Sequence, residues 1–212
     1  MQTIAYDLTM ELTEAMLGSL PASPDILATY VQAKAREMGV PDDDLLAEIA
    51  ALPKGELQEQ LTEEKSTCFA RDGDKLFLWN YLVKGFLKES GNVQKDVLGI
   101  KALRFKLDQY LFVSPRQLFL LREGESILKS DDIYTRPIRV MTAQGPRVSI
   151  AASERVYLPV SLCCTLVVIE AGWKILTELV LRELLNYGQF HGLGQFANGG
   201  FGTFAYRLSL AE

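Results

Sequence analysis

Residues 191–204 read H-G-L-G-Q-F-A-N-G-G-F-G-T-F, and the rest of the chain is read outward from them. Gly192, Gly194, Gly200 and Gly202 form the pattern G-h-G-x5-G-h-G, with Leu193 and Phe201 at the hydrophobic positions. Just upstream, residues 173–187 carry Leu176, Leu179, Val180 and Leu184 at helical spacing, and Gly188 is placed to cap that helix. Downstream, Phe204, Tyr206, Leu208 and Leu210 alternate with Thr203, Ala205, Arg207 and Ser209, the period of a half-buried strand. The glycines are therefore predicted to lie between a helix and a closing strand. A Rossmann loop opens a helix rather than following one, and a Walker loop needs Gly-Lys-Ser/Thr, which this chain lacks. Two readings stay open: a turn that needs glycine for its geometry, or a loop whose amides lie close against phosphates.

The chain of 212 residues is long enough for one sizeable core carrying an inserted lobe. It is 48% hydrophobic with no charge-free run long enough for a membrane helix, and Asp7 and Glu11 interrupt any signal-peptide core. A soluble, cytoplasmic protein is expected. Three cysteines, two of them adjacent at Cys163 and Cys164, make no disulfide framework and are expected in the core. One histidine without a C-x-x-C pair gives no zinc set, and no cofactor is expected. The net charge of −5 is uneven: residues 20–66 hold ten acids against four bases, a net of −6, which leaves +1 for the remainder. A near-neutral body can carry a basic groove without advertising one.

Residues 3–12 alternate as a first strand, with Ile4, Tyr6, Leu8, Met10 and Leu12 on one face. Residues 20–66 are punctuated by Pro21, Pro24, Pro41 and Pro53. They read as an inserted acidic helical lobe with helices near 24–38 and 42–51, either a solvated decoration or a partner-binding lid. A hairpin turning at Asp72-Gly73 is expected next, then a helix capped by Asn80 that Gly91-Asn92 breaks or kinks. A second helical stretch follows, with Val93, Val97, Ile100, Leu107 and Leu111 in register. Lys84, Lys88, Lys95, Lys101, Arg104 and Lys106 on this pair oppose only Glu89, Asp96 and Asp108. After a strand over 115–121, residues 136–155 read as β structure turning at Gln144-Gly145-Pro146 and bearing Arg136, Arg139, Arg147 and Arg155. The arginines form either an edge-protecting surface or a cationic ribbon for a phosphate backbone. A long strand covers 157–169. The order is α+β: β-α-β-β-α-β with β-hairpin extensions, a ferredoxin-like (RRM-like) core over 1–19 and 67–212, with the lobe over 20–66 inserted.

Three separated segments resemble the RAMP superfamily, the ferredoxin-like RNA-binding proteins of CRISPR effector complexes. L-T-E-A-M-L-G over 12–18 is similar to that family's turn after strand one. L-V-K-G-F-L-K over 82–88 is similar to its hydrophobic-K-G motif on the first helix, and the glycine pattern is its loop signature. The chain also resembles stand-alone RAMP-like proteins of phage and prophage gene sets. The resemblance implies single-stranded RNA (or single-stranded DNA) bound across the sheet and glycine loop, with further copies or other RAMP subunits as partners. The implied contacts are Gly192, Gly194, Gln195, Phe196, Asn198, Gly200 and Gly202; Lys84, Lys88 and the four arginines join them as candidates read from their charge. The loop departs from the family in lacking Lys or Arg between its glycine pairs. Gln195 and Asn198 can still hydrogen-bond, and Phe196 either stacks on a base or plugs the core.

His191 borders the loop and Asp25 lies in the region after strand one, where relatives that cleave RNA place a carboxylate. His191 has no positioned partner near it in sequence and Asp25 matches by position only, so no catalytic set is expected. The sequence reading is a non-catalytic RNA-binding subunit. A RAMP mimic acting through protein–protein contact, such as an inhibitor of a CRISPR effector complex, is the alternative, and an endoribonuclease the second alternative.

Overall fold

The computed structural model describes residues 2–21, 66–142 and 145–211. Asp25 and the predicted helices near 24–38 and 42–51 lie outside the described residues. The described strands are β1 (Thr3–Leu12), β2 (Met16–Leu17), β3 (Leu20–Pro21), β4 (Ser66–Cys68), β5 (Ala70–Asp72) and β6 (Lys75–Trp79). Helices α1 (Asn80–Gln94) and α2 (Leu103–Tyr110) follow, then β7 (Leu111–Ser114), β8 (Gln117–Phe119), β9 (Leu121–Arg122) and β10 (Glu125–Ser126). The long strands β11 (Asp132–Thr142), β12 (Gly145–Val156) and β13 (Ser161–Ile169) come next, then α3 (Glu178–Asn186) and β14 (Phe204–Leu210). The architecture is α+β. It divides into two compact units: one of Met1–Met16, Phe77–Ile127 and Tyr157–Glu212, the other of Leu17–Leu76 and Leu128–Val156.

In the first unit the sheet runs β10-β9-β13-β1-β14, with β7 also pairing β13. β1 is central, antiparallel to β13 from Thr3↔Ile169 to Glu11↔Ser161 and to β14 from Tyr6↔Leu210 to Leu12↔Phe204. Its pleat sends Tyr6, Leu8, Met10 and Leu12 into the core and leaves Thr3, Asp7 and Glu11 exposed, as the alternation predicts. The core is completed by Val83, Phe86 and Leu87 of α1, Leu103 and Leu107 of α2, and Leu181, Leu184 and Leu185 of α3.

Several local expectations are corrected. Asn80 is the first helical residue, not a cap: its side-chain amide donates to the Val113 carbonyl at 2.6 Å, fastening the helix start to β7. Gly91 does not break α1. A Cβ there would lie 2.5 Å from Leu107 Cδ1, so glycine is what allows α2 to approach. The C-terminal helix starts at Glu178 rather than Trp173, with Thr177 as its cap, and Leu179 faces solvent while Leu181 takes the core position. Gly188 sits in a 3-10 turn, not a left-handed cap. Its α-carbon faces the Phe204 ring, which a Cβ would meet at 2.3 Å.

In the second unit β11 and β12 form a long hairpin, from Asp132↔Arg155 to Thr142↔Gly145. At its base β12 runs parallel to β4 (Ala152↔Ser66, Ser153↔Thr67), which is antiparallel to β3. Glu154, fully buried, fastens this base. Its carboxylate accepts from the Phe69 amide at 2.8 Å, from the Arg71 guanidinium and from the Ser130 hydroxyl at 3.3 Å. Its backbone carbonyl accepts from the Gly18 amide at 2.9 Å. A buried carboxylate survives only when hydrogen bonds and an opposite charge replace its water, and this one has both.

Candidate nucleic-acid interface

The glycine loop has a closed base and an exposed tip. At the base the Leu193 amide donates to the Gly202 carbonyl at 2.9 Å. A Cβ on Gly192 would lie 2.1 Å from the Phe201 carbonyl oxygen, and one on Gly202 (φ +69°) would lie 2.0 Å from that of Leu193. Gly192 and Gly202 are buried, so they serve the loop's own closure. The tip holds Gly194, Gln195, Phe196, Asn198 and Gly200. Gly194 and Gly200 have φ of +86° and +88°, and Asn198 is exposed. Phe196 is not a core plug. Its ring lies over Gly199 and 5.9 Å from that of Phe201, with 41% of the residue exposed.

The three segments that carry the resemblance meet here. Thr13 donates its amide to the Thr203 carbonyl at 2.8 Å, and the Gly202 amide reaches back to Ala15 at 2.8 Å. From α1, Phe86 packs edge-on to Phe204 at 5.2 Å and stacks with Tyr187 at 6.1 Å.

His191 belongs to the same aromatic group, stacked on Tyr187 at 5.3 Å. Its Nδ1 is buried without a hydrogen-bond partner, and its Nε2 lies 3.5 Å from the Glu89 carboxylate. A ring with one nitrogen sealed under aromatics and the other facing a carboxylate is placed to anchor the loop. The buried Nδ1 is closed to a 2′-hydroxyl.

Lys84 and Lys88 are already engaged. Lys88 pairs with the Asp108 carboxylate at 2.8 Å; Lys84 donates to the Asp108 carbonyl at 2.9 Å and lies 5.1 Å over the Phe112 ring. Burial holds the Lys84 pKa below its ordinary value, against the pull of Asp108. Burial pushes Asp108 up, but the hydrogen bond and charge of Lys88, with those of Lys84, outweigh it and leave the carboxyl below its usual range.

The hairpin divides its arginines. Successive ladder positions alternate faces, so Asp132, Tyr134 and Arg136 share one face with Arg155, Ser153 and Ala151. Arg139 is exposed on the other, beside Val148 and Ile150, which are 77% and 65% exposed. Arg155 is held by Asp132 in a two-pronged pair, with its Nε at 2.7 Å, and lies 5.1 Å over the Tyr134 ring. Arg147 is the ladder partner of Val140.

The sheet face opposite the α1 and α3 core carries Asp7, Glu11, Thr9, Cys163, Thr165 and Arg207, and Glu11 pairs with Arg207. Cys163 is exposed, a departure from the expected core position, whereas Cys164 and Cys68 are buried. Burial pushes both buried thiols up to about 12. Sequence reasoning missed Asp108 and Glu154 as organising carboxylates, because each finds its partners far along the chain. The signal was their scarcity among the neighbouring cations.

No helix among the described residues is long and apolar enough to cross a membrane. No family model and no curated protein matches the chain. Among solved structures it is similar to a chain of the "Cryo-EM structure of the Type III-B Cmr-beta bound to cognate target RNA", at 11% identity and a TM-score of 0.47. That match covers 100% of this chain and 61% of the other, so this chain spans about three fifths of its length.

Proposed function

We propose that the protein is a non-catalytic RAMP-like nucleic-acid-binding protein that holds single-stranded RNA at the exposed tip of the glycine loop, as a repeating or effector-type subunit. The observation that carries this reading is the meeting of the strand-one exit, α1 and the glycine loop, through Thr13, Ala15, Phe86, Gly202 and Thr203. The order β1-α1-β7-β13-α3-β14, with strands arranged β14-β1-β13-β7, supports a ferredoxin-like core. Gln195, Phe196 and Asn198 then offer two amides and an aromatic face to a strand. The hairpin of the second unit is a separate candidate contact, with Arg139 exposed and Arg147 at the ladder position opposite Val140. The burial of His191 Nδ1 supports binding without cleavage. Titration of labelled single-stranded RNA and DNA over a salt series, with light scattering for copy number, tests this. Affinity that falls with salt, weakens on Gln195→Ala with Asn198→Ala and on Arg139→Ala with Arg147→Ala, and leaves the strand uncut is expected. No binding at the lowest salt overturns it.

A second reading rests on a different observation. Lys84, Lys88, Arg155 and Arg207 each sit on a carboxylate, and the open sheet face carries Asp7 and Glu11. Cations so neutralised, with an acidic sheet face, suit a RAMP mimic acting through protein–protein contact, for example on a CRISPR effector complex. Retention of the protein by such a complex, with no affinity for free RNA, is the result that selects it.

A further inference from the structure

We infer that the turn between α1 and α2 and the outer side of α2 form a second contact for single-stranded nucleic acid, with Phe105 as a stacking platform and Lys95, Lys101 and Lys106 as phosphate contacts. The inference rests on the RNA-binding reading and moves the cationic contact of the helix pair away from Lys84 and Lys88. Those two are drawn onto Asp108; residues 93–106 carry Lys95, Lys101, Arg104 and Lys106 with one acid, Asp96, in their sequence, in a chain whose net charge is −5.

The same stretch exposes apolar surface that the core does not use. α2 buries Leu103 and Leu107 against α1, where Gly91 admits the close approach, so its core face is complete without Phe105. Phe105 is 59% exposed, Val97 89% and Val93 55%. Single exposed apolar residues are ordinary, but three of them interleaved with four cations are not accounted for by packing. Lys101 lies in the turn just before α2, next to Ala102, whose left-handed backbone (φ +54°) starts the helix that carries Phe105. The backbone beneath is fixed: the Ile100 amide donates to Lys95 at 3.0 Å and the Lys106 amide to Ala102 at 3.1 Å. Cations that flank an exposed ring along the chain match the chemistry of a single strand, whose bases are free to stack while its phosphates take the ammonium groups. A duplex keeps its bases stacked inside and offers Phe105 nothing.

Three proteins decide it: the wild type, Lys95→Gln/Lys101→Gln/Lys106→Gln, and Phe105→Ala, titrated with a labelled single-stranded RNA and with duplex RNA of the same sequence over a salt series. These residues lie outside the core, so thermal melting should be nearly unchanged in both variants. The charge variant is expected to flatten the plot of log affinity against log salt by about 2, at roughly 0.7 for each phosphate no longer neutralised. Phe105→Ala is expected to lose about tenfold for the single strand at every salt concentration, and nothing for the duplex. Wild-type binding with an unchanged slope in the charge variant, and unchanged affinity in Phe105→Ala, overturns this site and leaves the glycine-loop reading standing. No wild-type binding overturns both. Loss of concentration-dependent self-association in the charge variant, with RNA binding intact, also overturns it and makes the patch a contact between copies.

Discussion

The hydroxyls of Thr13 and Thr203 lie 2.9 Å apart across 190 residues of sequence, beside a backbone hydrogen bond between the same two residues. This pair ties the exit of the first strand to the end of the glycine loop, so the loop's base is held at both ends. Thr203 is buried, and the neighbouring Gly202 amide bonds back to Ala15.

Replacing Thr203 with Val keeps its shape and removes one hydroxyl. A loss of about 1 kcal/mol in urea unfolding is expected, since the Thr13 hydroxyl is left without its partner. The double change with Thr13→Val should cost less than the sum of the singles. Additive costs would show that the hydroxyl pair is not coupled.

Gly200 and Gly202 are predicted to differ on substitution by Ala. Both have positive φ, but a Cβ on Gly200 meets nothing within 4 Å, whereas one on Gly202 meets the Leu193 carbonyl oxygen at 2.0 Å. Gly200→Ala should cost only the left-handed penalty, about 1–2 kcal/mol. Gly202→Ala should cost clearly more, because the pinched base must open. Equal thermal melting shifts would contradict the arrangement.

Glu154→Ala removes the acceptor for the Phe69 amide and the Arg71 guanidinium together. Breaking a buried pair from one side costs about 3–5 kcal/mol. The half-exposed Asp132–Arg155 pair should be worth less than about 1 kcal/mol when Asp132 is replaced by Asn. Urea unfolding of the two variants, with hydrogen exchange at the Phe69 amide, separates them.

Asp108 should make stability pH-dependent in one direction. Its folded pKa lies below the unfolded value of about 4, so the stabilisation is present above that unfolded value and is lost as pH falls through the folded pKa. The gap in urea midpoint between wild type and Asp108→Asn should therefore be full at pH 7 and close at strongly acid pH. A gap that widens on acidification would mean that the pairing with Lys88 and Lys84 does not favour the ionised carboxylate.

Cysteine labelling should be ordered by burial. Cys163 is exposed on the sheet face and should react with a maleimide in the folded protein. Cys68 and Cys164, with thiols pushed up to about 12, should react only on unfolding. Mass spectrometry after brief labelling at pH 8 should find one adduct.

The sequence by itself determined the elements whose signal is local. The alternation of Leu8, Met10 and Leu12 in β1 placed that strand and its buried face, because a strand's two sides are written two residues apart. The glycine pattern marked the loop between α3 and β14 for the same reason. Tertiary structure decided what each of those residues does. Gly192 and Gly202 are spent on closing the loop and Gly200 is not, a difference set by carbonyls across the loop that no spacing reveals. Lys84 and Lys88 read as available cations until Asp108, 20 residues beyond Lys88, took both. Arg139 read as one of a row of arginines, and the pleat turned it to the face opposite Arg136 and Arg155. Glu154 read as one acid among arginines and became the fastening of the second unit through partners 83 and 85 residues away. Local periodicity fixes secondary structure, whereas charge pairing and close approach depend on which distant residues the fold brings together, and in this protein those pairings decide which candidates remain exposed to a ligand.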